Sequence, residues 1–587
     1  MDASWSKAAR PVLIGILVAE ILVLVIGAWF ALSAALVVGD LSAARDELLD
    51  ARDAISRSQV VEARAAMESA ARHADAAASR TNGLLWDAVG AVPGVGDTAD
   101  AGRAIATSLD QTLVTLLPLV DDLGAIDPDT LVSPDGRIDV SVVQEAVPAL
   151  RQAQPGIDQA LATLQGAPVG RWVPTPVRRA ASEYLDQLTG LQSALSTALT
   201  FGEIGGQLLG DQAPQRYFVA ILSPNEARGT GGFLGNYAII TSQDGKVSID
   251  TVGSNTDLPD LKRLPASLDR QFRDHYGDAP LQRGTMNLSP HLPDTAAIWL
   301  KSWRQRTGQR LDGVIAVDVI ALSRMVGASG QPIPLPEGGS IGGADLARFA
   351  TQGIYEKFPR ADQDTQRNAY QVAILTSALE SIVRPPRPEA MAKAIGEALS
   401  THRMVVWSGD PDVERRLLAA EVGGSLRVPD GHQVEAIVLS TSNSKLDAYL
   451  DRWLTYEVGR CVDEGGRVQS HVTFTLENAI PFGQRPPEYM VGTAPMGPTG
   501  PINSSRVQIH LPNGSEVLQA DVDGEPVDYT EFRQQGRPTV VLNLELPPRE
   551  TRTVDVRFSE PDSSALAEVA VQPLIRDQQT VITDMDC

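Results

Sequence analysis

Two segments of the chain bring acidic, amide and guanidinium side chains together at spacings that could do chemistry. In Ser223-Pro-Asn-Glu-Ala-Arg-Gly-Thr-Gly-Gly-Phe233, the residues Asn225, Glu226 and Arg228 follow a short apolar run and stand beside Gly229, Gly231 and Gly232. Glycines let a backbone approach a ligand closely, and polar loops at strand ends are where α/β folds place their sites. The same residues could equally cap a turn, with Arg228 paired to Glu226. In the second segment, Arg360 and Arg367 flank Asp362 and Asp364 just ahead of a helical pattern. Two guanidiniums can grip a pyrophosphate bidentately, helped by the amides of a helix N-terminus. A surface salt-bridge net would use the same four residues.

Other signatures are thin. The seven histidines are dispersed, and neither a paired-histidine zinc motif nor a Walker loop occurs. Gly338-Gly-Ser340-Ile-Gly342 fits G-x-S-x-G, but a nucleophile elbow needs a core strand before the serine, and Pro332, Pro334 and Pro336 stand there instead. A loop leading into the next helix explains the same glycines. Cys461 and Cys587 are the two cysteines. They cannot form a zinc or iron-sulfur cluster alone; in an oxidising compartment they could form a disulfide, and otherwise they remain two thiols.

Several elements must position these residues. A chain of 587 residues has room for several cores, at about 150 residues per domain. Residues 1–10 read as a cytoplasmic tail and 11–39 as a transmembrane helix. Glu20 is the one charge in that stretch, which is long enough for a hydrocarbon layer of roughly 30 Å. Lys7 and Arg10 precede the span, while Asp40 and Asp46 follow it. The positive-inside rule then makes the body extracytoplasmic, in a single-pass protein of the cell membrane. A signal peptide cleaved near Ala31 to Ala34 is the competing reading. Residues 40–210 show helical periodicity, broken at Gly90 to Gly96, and suggest a stalk or bundle. From 215 to 400, strands and helices mix, as in an α/β layered domain; a strand at 217–222, a hairpin turning at Asp244-Gly245 and a strand at 311–319 are its clearest parts. Residues 443–455, with Leu446, Tyr449, Leu450 and Trp453, read as a helix. The region 434–587 reads as an antiparallel β-sandwich. A net charge of -23 argues against general nucleic-acid binding and requires a local basic pocket for any anionic ligand.

On these segments the chain resembles known proteins. The whole chain resembles the bacterial membrane proteins grouped as domain of unknown function 4012. Residues 215–385 also resemble the core of the LytR-CpsA-Psr family of envelope glycopolymer ligases. The likeness lies in Asn225-Glu-Ala-Arg228, in Leu311-Asp-Gly-Val-Ile-Ala-Val-Asp318 with Leu322 to Gly330, and in Gly343-Ala-Asp-Leu-Ala through Arg360 to Arg367. It implies Arg228, Arg360 and Arg367 as phosphate ligands, and Asn225 or Glu226 where a first Mg2+ ligand would sit. It also implies a polyprenyl pyrophosphate-linked glycan as partner. The ligase family carries an Arg-Ser-Asp-Thr element after the first motif; Gly231-Gly-Phe-Leu stands here, without that arginine or that acid. Two functions follow. One is an anchored phosphotransferase or hydrolase of lipid-linked glycans in cell-wall biogenesis. The other is a non-catalytic envelope protein that binds such a lipid or docks partners through the α/β domain and the sandwich.

Overall fold

The computed structural model describes residues 33–585 apart from 55–58, 93–94, 125–132, 134–135, 169–172, 427, 429–430 and 564–566. Most of the expected span at 11–39 lies outside those residues. Among the described residues no helix is long and apolar enough to cross a membrane. The chain forms two compact units, Met1–Asp127 with Ser141–Glu203, and Pro128–Val140 with Ile204–Cys587.

The first unit is helical, as its periodicity suggests. Helix α1 covers 33–54, followed by α2 (Val60–Thr81), α3 (Leu84–Gly90), α4 (Gly96–Gly124), α5 (Val140–Gln165) and α6 (Thr175–Leu208), the last running into the second unit. The predicted break falls between α3 and α4. Small side chains allow close helix packing: Ala44, Ala70 and Ala74 bury against Leu109 and Leu113. Val37, placed in the expected span, is buried with Ala77 and Trp86, so the last turns of that stretch pack within the helical unit.

The second unit opens with a mixed sheet. Strands β1 (Gln215–Ser223), β2 (Phe233–Gln243) and β3 (Lys246–Ser254) precede α7 (Arg270–Tyr276), α8 (Leu292–Thr307), β4 (Gly313–Asp318) and α9 (Val319–Ser329). A short hairpin, β5 (Ile333–Pro334) and β6 (Ser340–Ile341), leads to α10 (Gly343–Arg348), a π-helical turn at Phe349–Gly353 and α11 (Ile354–Lys357). Then come α12 (Asp364–Val383), α13 (Pro388–Ser400), β7 (Met404–Ser408) and α14 (Pro411–Ala419). The sheet order is β3-β2-β1-β4-β7, with β1 and β4 parallel and the other pairs antiparallel.

Side-chain alternation along β1 explains the layers. Phe218, Ala220 and Leu222 bury with Trp299 and Trp303 of α8, whereas Val219 and Ile221 bury with Leu322 and Met325 of α9 and Leu375 and Leu379 of α12. Asp318 starts α9 by accepting from the amides of Ile320 and Ala321. The β2–β3 turn has left-handed Asp244 and Gly245, the hairpin geometry those residue types favour.

The sandwich follows. Its strands are β8 (Gln433–Ser440), β9 (Leu450–Gly459) and β10 (Arg467–Asn478), then, after α15 (Glu488–Val491) and the small hairpin β11 (Met496–Gly497) and β12 (Gly500–Pro501), β13 (Asn503–His510) and β14 (Glu516–Val522). The remaining strands are β15 (Glu525–Pro526), β16 (Thr530–Gln534), β17 (Arg537–Leu546), β18 (Thr551–Pro561), β19 (Glu568–Val571) and β20 (Gln578–Met585). Two sheets, β15-β14-β18-β10-β9-β20 and β16-β17-β13-β8-β19, share a core of Tyr456, Phe474, Phe558, Val438, Ile509 and Val540.

Two expectations are corrected here. The segment 443–455 is one 3-10 turn (Leu446–Tyr449) followed by β9, not a helix. Leu450, Arg452, Leu454, Tyr456 and Val458 alternate inward at the period of a strand. Nor is the sandwich purely antiparallel, because the edge strands β19 and β20 run parallel to β8 and β9. The segment 572–577 joins these two edges, a connection that crosses between sheets instead of turning back as a hairpin.

Candidate functional site

The turn after β1 is buried and tied down by side chains. Ser223 Oγ donates to Asn225 Oδ1 at 2.8 Å, and Asn225 Nδ2 donates to the Thr351 carbonyl at 3.1 Å. The amide of Ala227 donates to Asp447 at 2.7 Å, and Asn503 holds the other oxygen of that carboxylate at 2.8 Å. Glu226 lies between two cations, one oxygen on Arg228 and the other on Lys445. Arg228 also donates to the carbonyls of Ala227 (2.9 Å) and Ser440 (3.1 Å). Lys445 Nζ sits 4.7 Å from the centre of the Phe233 ring. Glu226, Arg228, Lys445 and Asp447 thus form a buried set of two acids and two bases that fastens the α/β turn to the sandwich.

Burial dominates the electrostatics of this set. It pulls the Lys445 ammonium down to about 7 and the Arg228 guanidinium to about 10, with nearby Asp447 opposing both shifts. Burial also raises the Asp447 carboxyl. The expected role for the neighbouring glycines changes too. A Cβ on Gly229 would lie 2.3 Å from backbone atoms of Leu288 and Ser289, and one on Gly232 would lie 2.6 Å from Ser223. These glycines admit the protein's own backbone rather than a ligand.

The second segment separates. Arg367, on the first turn of α12, is 1% exposed; it pairs with Asp364 and stacks its guanidinium 3.3 Å from the centre of the Tyr489 ring. Arg360, before the helix, is exposed and gives both its Nε and an Nη to Asp362 at 2.9 Å. The three arginines therefore do not converge: Arg228 and Arg367 line one cavity, and Arg360 belongs to a surface salt bridge. Ser340 is exposed on a two-residue strand, without the buried strand that a nucleophile elbow requires.

That cavity encloses about 720 Å³. Leu322, Leu346, Ile354, Ile374 and Leu375 supply aliphatic wall. Elsewhere the lining carries five cationic side chains, Arg228, Arg283, Arg367, Lys445 and Arg506, against two carboxylates, Glu226 and Asp364. With Asp447 behind Arg228 and Lys445 also counted, a formal surplus of two positive charges remains in a chain of net charge -23. Sequence reasoning missed Lys445, Asp447, Tyr489, Arg283 and Arg506. A usable signal existed for the first two: the polar run Thr441-Ser-Asn-Ser-Lys445 follows the apolar end of β8, much as Pro224 to Arg228 follows β1.

An Mg2+ ion held by the first motif does not fit this geometry. Both oxygens of Glu226 are engaged by cations, and the Asn225 amide is held by Ser223 and Thr351. Among the described residues, no group of three His, Cys, Asp or Glu side chains could hold a metal ion. Cys461 is disulfide-bonded, and Cys587 lies outside the described residues.

Residues 212–355 match the family model described as Protein of unknown function (DUF4012). The DUF4012 match runs from the start of β1 into α11, so it contains the Asn225–Arg228 turn and much of the aliphatic wall, but ends before Arg367 and the sandwich. No curated protein matches the chain. Among solved structures, a candidate nutrient binding protein of Legionella pneumophila subsp. pneumophila str. Philadelphia 1 aligns at 10% identity with a TM-score of 0.14. The alignment covers 22% of this chain and 44% of that one.

Proposed function

We propose that this protein is an anchored, extracytoplasmic cell-envelope protein that holds a polyprenyl (pyro)phosphate-linked glycopolymer in the cavity between α9, α12 and the β1 turn. The observation that carries the reading is the pairing, in one cavity, of an aliphatic wall with a surplus of cations in an otherwise acidic chain. The hydrocarbon lies along Leu322, Ile374 and Leu375, where burying apolar surface contributes roughly 25 cal/mol per Å². The phosphate meets Arg367, Arg283 and Arg506, because Arg228 and Lys445 share the buried Glu226 whereas the partner of Arg367, Asp364, is half exposed. The apolar residues 11–32, which carry one charge, Glu20, and follow Lys7 and Arg10, support the anchor and its orientation. The likeness to the LytR-CpsA-Psr ligases supports the ligand class. With Glu226 and Asn225 engaged inside the protein, the reading is retention of the lipid rather than transfer.

A second reading, an envelope scaffold, is favoured by the buried Glu226–Arg228–Lys445–Asp447 set, which gives those residues a purely structural task. Binding of a polyprenyl pyrophosphate analogue to the full chain in detergent separates the two. Saturable binding weakened by Arg367→Ala or Leu375→Trp supports lipid retention; a folded protein that binds nothing supports the scaffold.

A further inference from the structure

A second cavity, of about 580 Å³, lies where the end of α13 and the start of β7 meet β8 and the segment 568–578. Arg452 of β9 lines it and is 1% exposed. Its two Nη groups donate to the carbonyls of Gln572 (3.1 Å) and Arg576 (3.0 Å), while its Nε–H has no acceptor. Burial lowers this guanidinium only to about 10, so it is charged at neutral pH. A buried donor without an acceptor is costly, and Asp447 and Asp577 offset the burial of this charge only in part. Arg403, on the same wall, differs in being neutralised by Asp318 at 2.6 Å.

The cavity holds a second unsatisfied atom, of opposite character. Gln578 lines it as well, and its buried Oε1 accepts no hydrogen bond. Three carboxylates, Glu435, Glu568 and Asp577, add further acceptors to the lining, Glu568 already accepting from Gln433, and Ser400, Thr401 and Ser425 add hydroxyls. A charged donor facing an anion, set among acceptors facing hydroxyls, is the complement of a polyhydroxylated acid. The volume suits a small molecule.

We propose that this cavity binds a small hydroxylated organic acid, its carboxylate accepting the Arg452 Nε–H and one of its hydroxyls donating to Gln578 Oε1. The site is separate from the lipid cavity and does not depend on that reading. The test is thermal melting of the full chain in detergent, titrated with glucuronate and, in parallel, with uncharged glucose. Glucuronate raises Tm saturably and glucose does not. Arg452→Gln weakens glucuronate binding by roughly tenfold or more, the loss of one charge-assisted hydrogen bond. Because Arg452 also holds backbone carbonyls, Ala570→Phe provides a second variant: it adds volume inside the cavity without removing a hydrogen bond and abolishes the shift. Arg367→Ala, in the other cavity, keeps it. No saturable shift with glucuronate, an equal shift with glucose, or an unchanged shift in Ala570→Phe overturns the proposal.

Discussion

Lys445 and Glu226 stand 219 residues apart in the chain and meet as a buried ion pair between the sandwich and the turn after β1. Arg228 occupies the other oxygen of the same carboxylate, so Glu226 is shared by two cations. The arrangement explains why a strand-end turn with the composition of a binding loop is closed to ligand on that side. It also makes the turn sensitive to changes in a distant strand.

The first prediction concerns pH. The Lys445 ammonium is depressed from 10.5 to about 7, so between those values the unfolded chain binds the proton and the folded chain does not. On this account stability rises with pH from about 7 toward 10.5, and the penalty is fully present below 7. Lys445→Met should remove this component of the slope in a series of melts between pH 6 and 10. An identical slope in wild type and variant would contradict the assignment.

Removing Glu226 leaves Lys445 and Arg228 buried without the carboxylate they share. Breaking a buried pair costs about 3–5 kcal/mol. Denaturant unfolding of Glu226→Gln at pH 6, where Lys445 is charged, checks this. A loss under about 0.5 kcal/mol, as expected of an ordinary surface substitution, would show that the pair does not fasten the turn.

Arg360 and Arg367 should behave differently despite their similar sequence setting. Arg360→Ala breaks an exposed pair and should change stability by less than about 1 kcal/mol, leaving lipid binding intact. Arg367→Ala removes a buried guanidinium from Asp364 and from the face of Tyr489. It should cost about 2 kcal/mol or more of stability and also weaken binding. Equal effects from both substitutions would return Arg360 to the site.

Gly232→Ala should destabilise by more than a surface change, because its Cβ would press on the Ser223 backbone at 2.6 Å. Overpacking of this kind costs about 1–3 kcal/mol. A variant melting with the wild type would show that the turn yields freely.

Much of the fold is legible because its strands alternate cleanly. The apolar run Tyr217 to Leu222, the Asp244-Gly245 turn and the sandwich strands near 468–476 and 551–558 all follow from local pattern. Residues 443–455 mislead for a physical reason: Leu446, Tyr449, Leu450 and Trp453 have helical spacing, yet Leu450 and Trp453 fall on opposite faces of β9. The site is less legible. No local feature tells Arg360 from Arg367; the difference is that one precedes α12 in water and the other lies on its buried face, against a tyrosine from the sandwich region. Nor does local sequence announce that Glu226 meets a lysine from beyond β8.

The central claim is that the amphipathic cavity retains a lipid-linked phosphate, and the most direct measurement is the affinity of the full chain in detergent for a polyprenyl pyrophosphate analogue. Wild type is expected to bind saturably. Arg367→Ala should lose roughly tenfold to a hundredfold, corresponding to about 1.5–3 kcal/mol for one charge-assisted contact. Leu375→Trp, which overfills the aliphatic wall, should lose binding and, because Leu375 is also a core residue, about 1–3 kcal/mol of stability while remaining folded, and Arg360→Ala should bind as wild type does. No binding by wild type, or undiminished binding by folded Arg367→Ala and Leu375→Trp, would contradict the account and leave the scaffold reading.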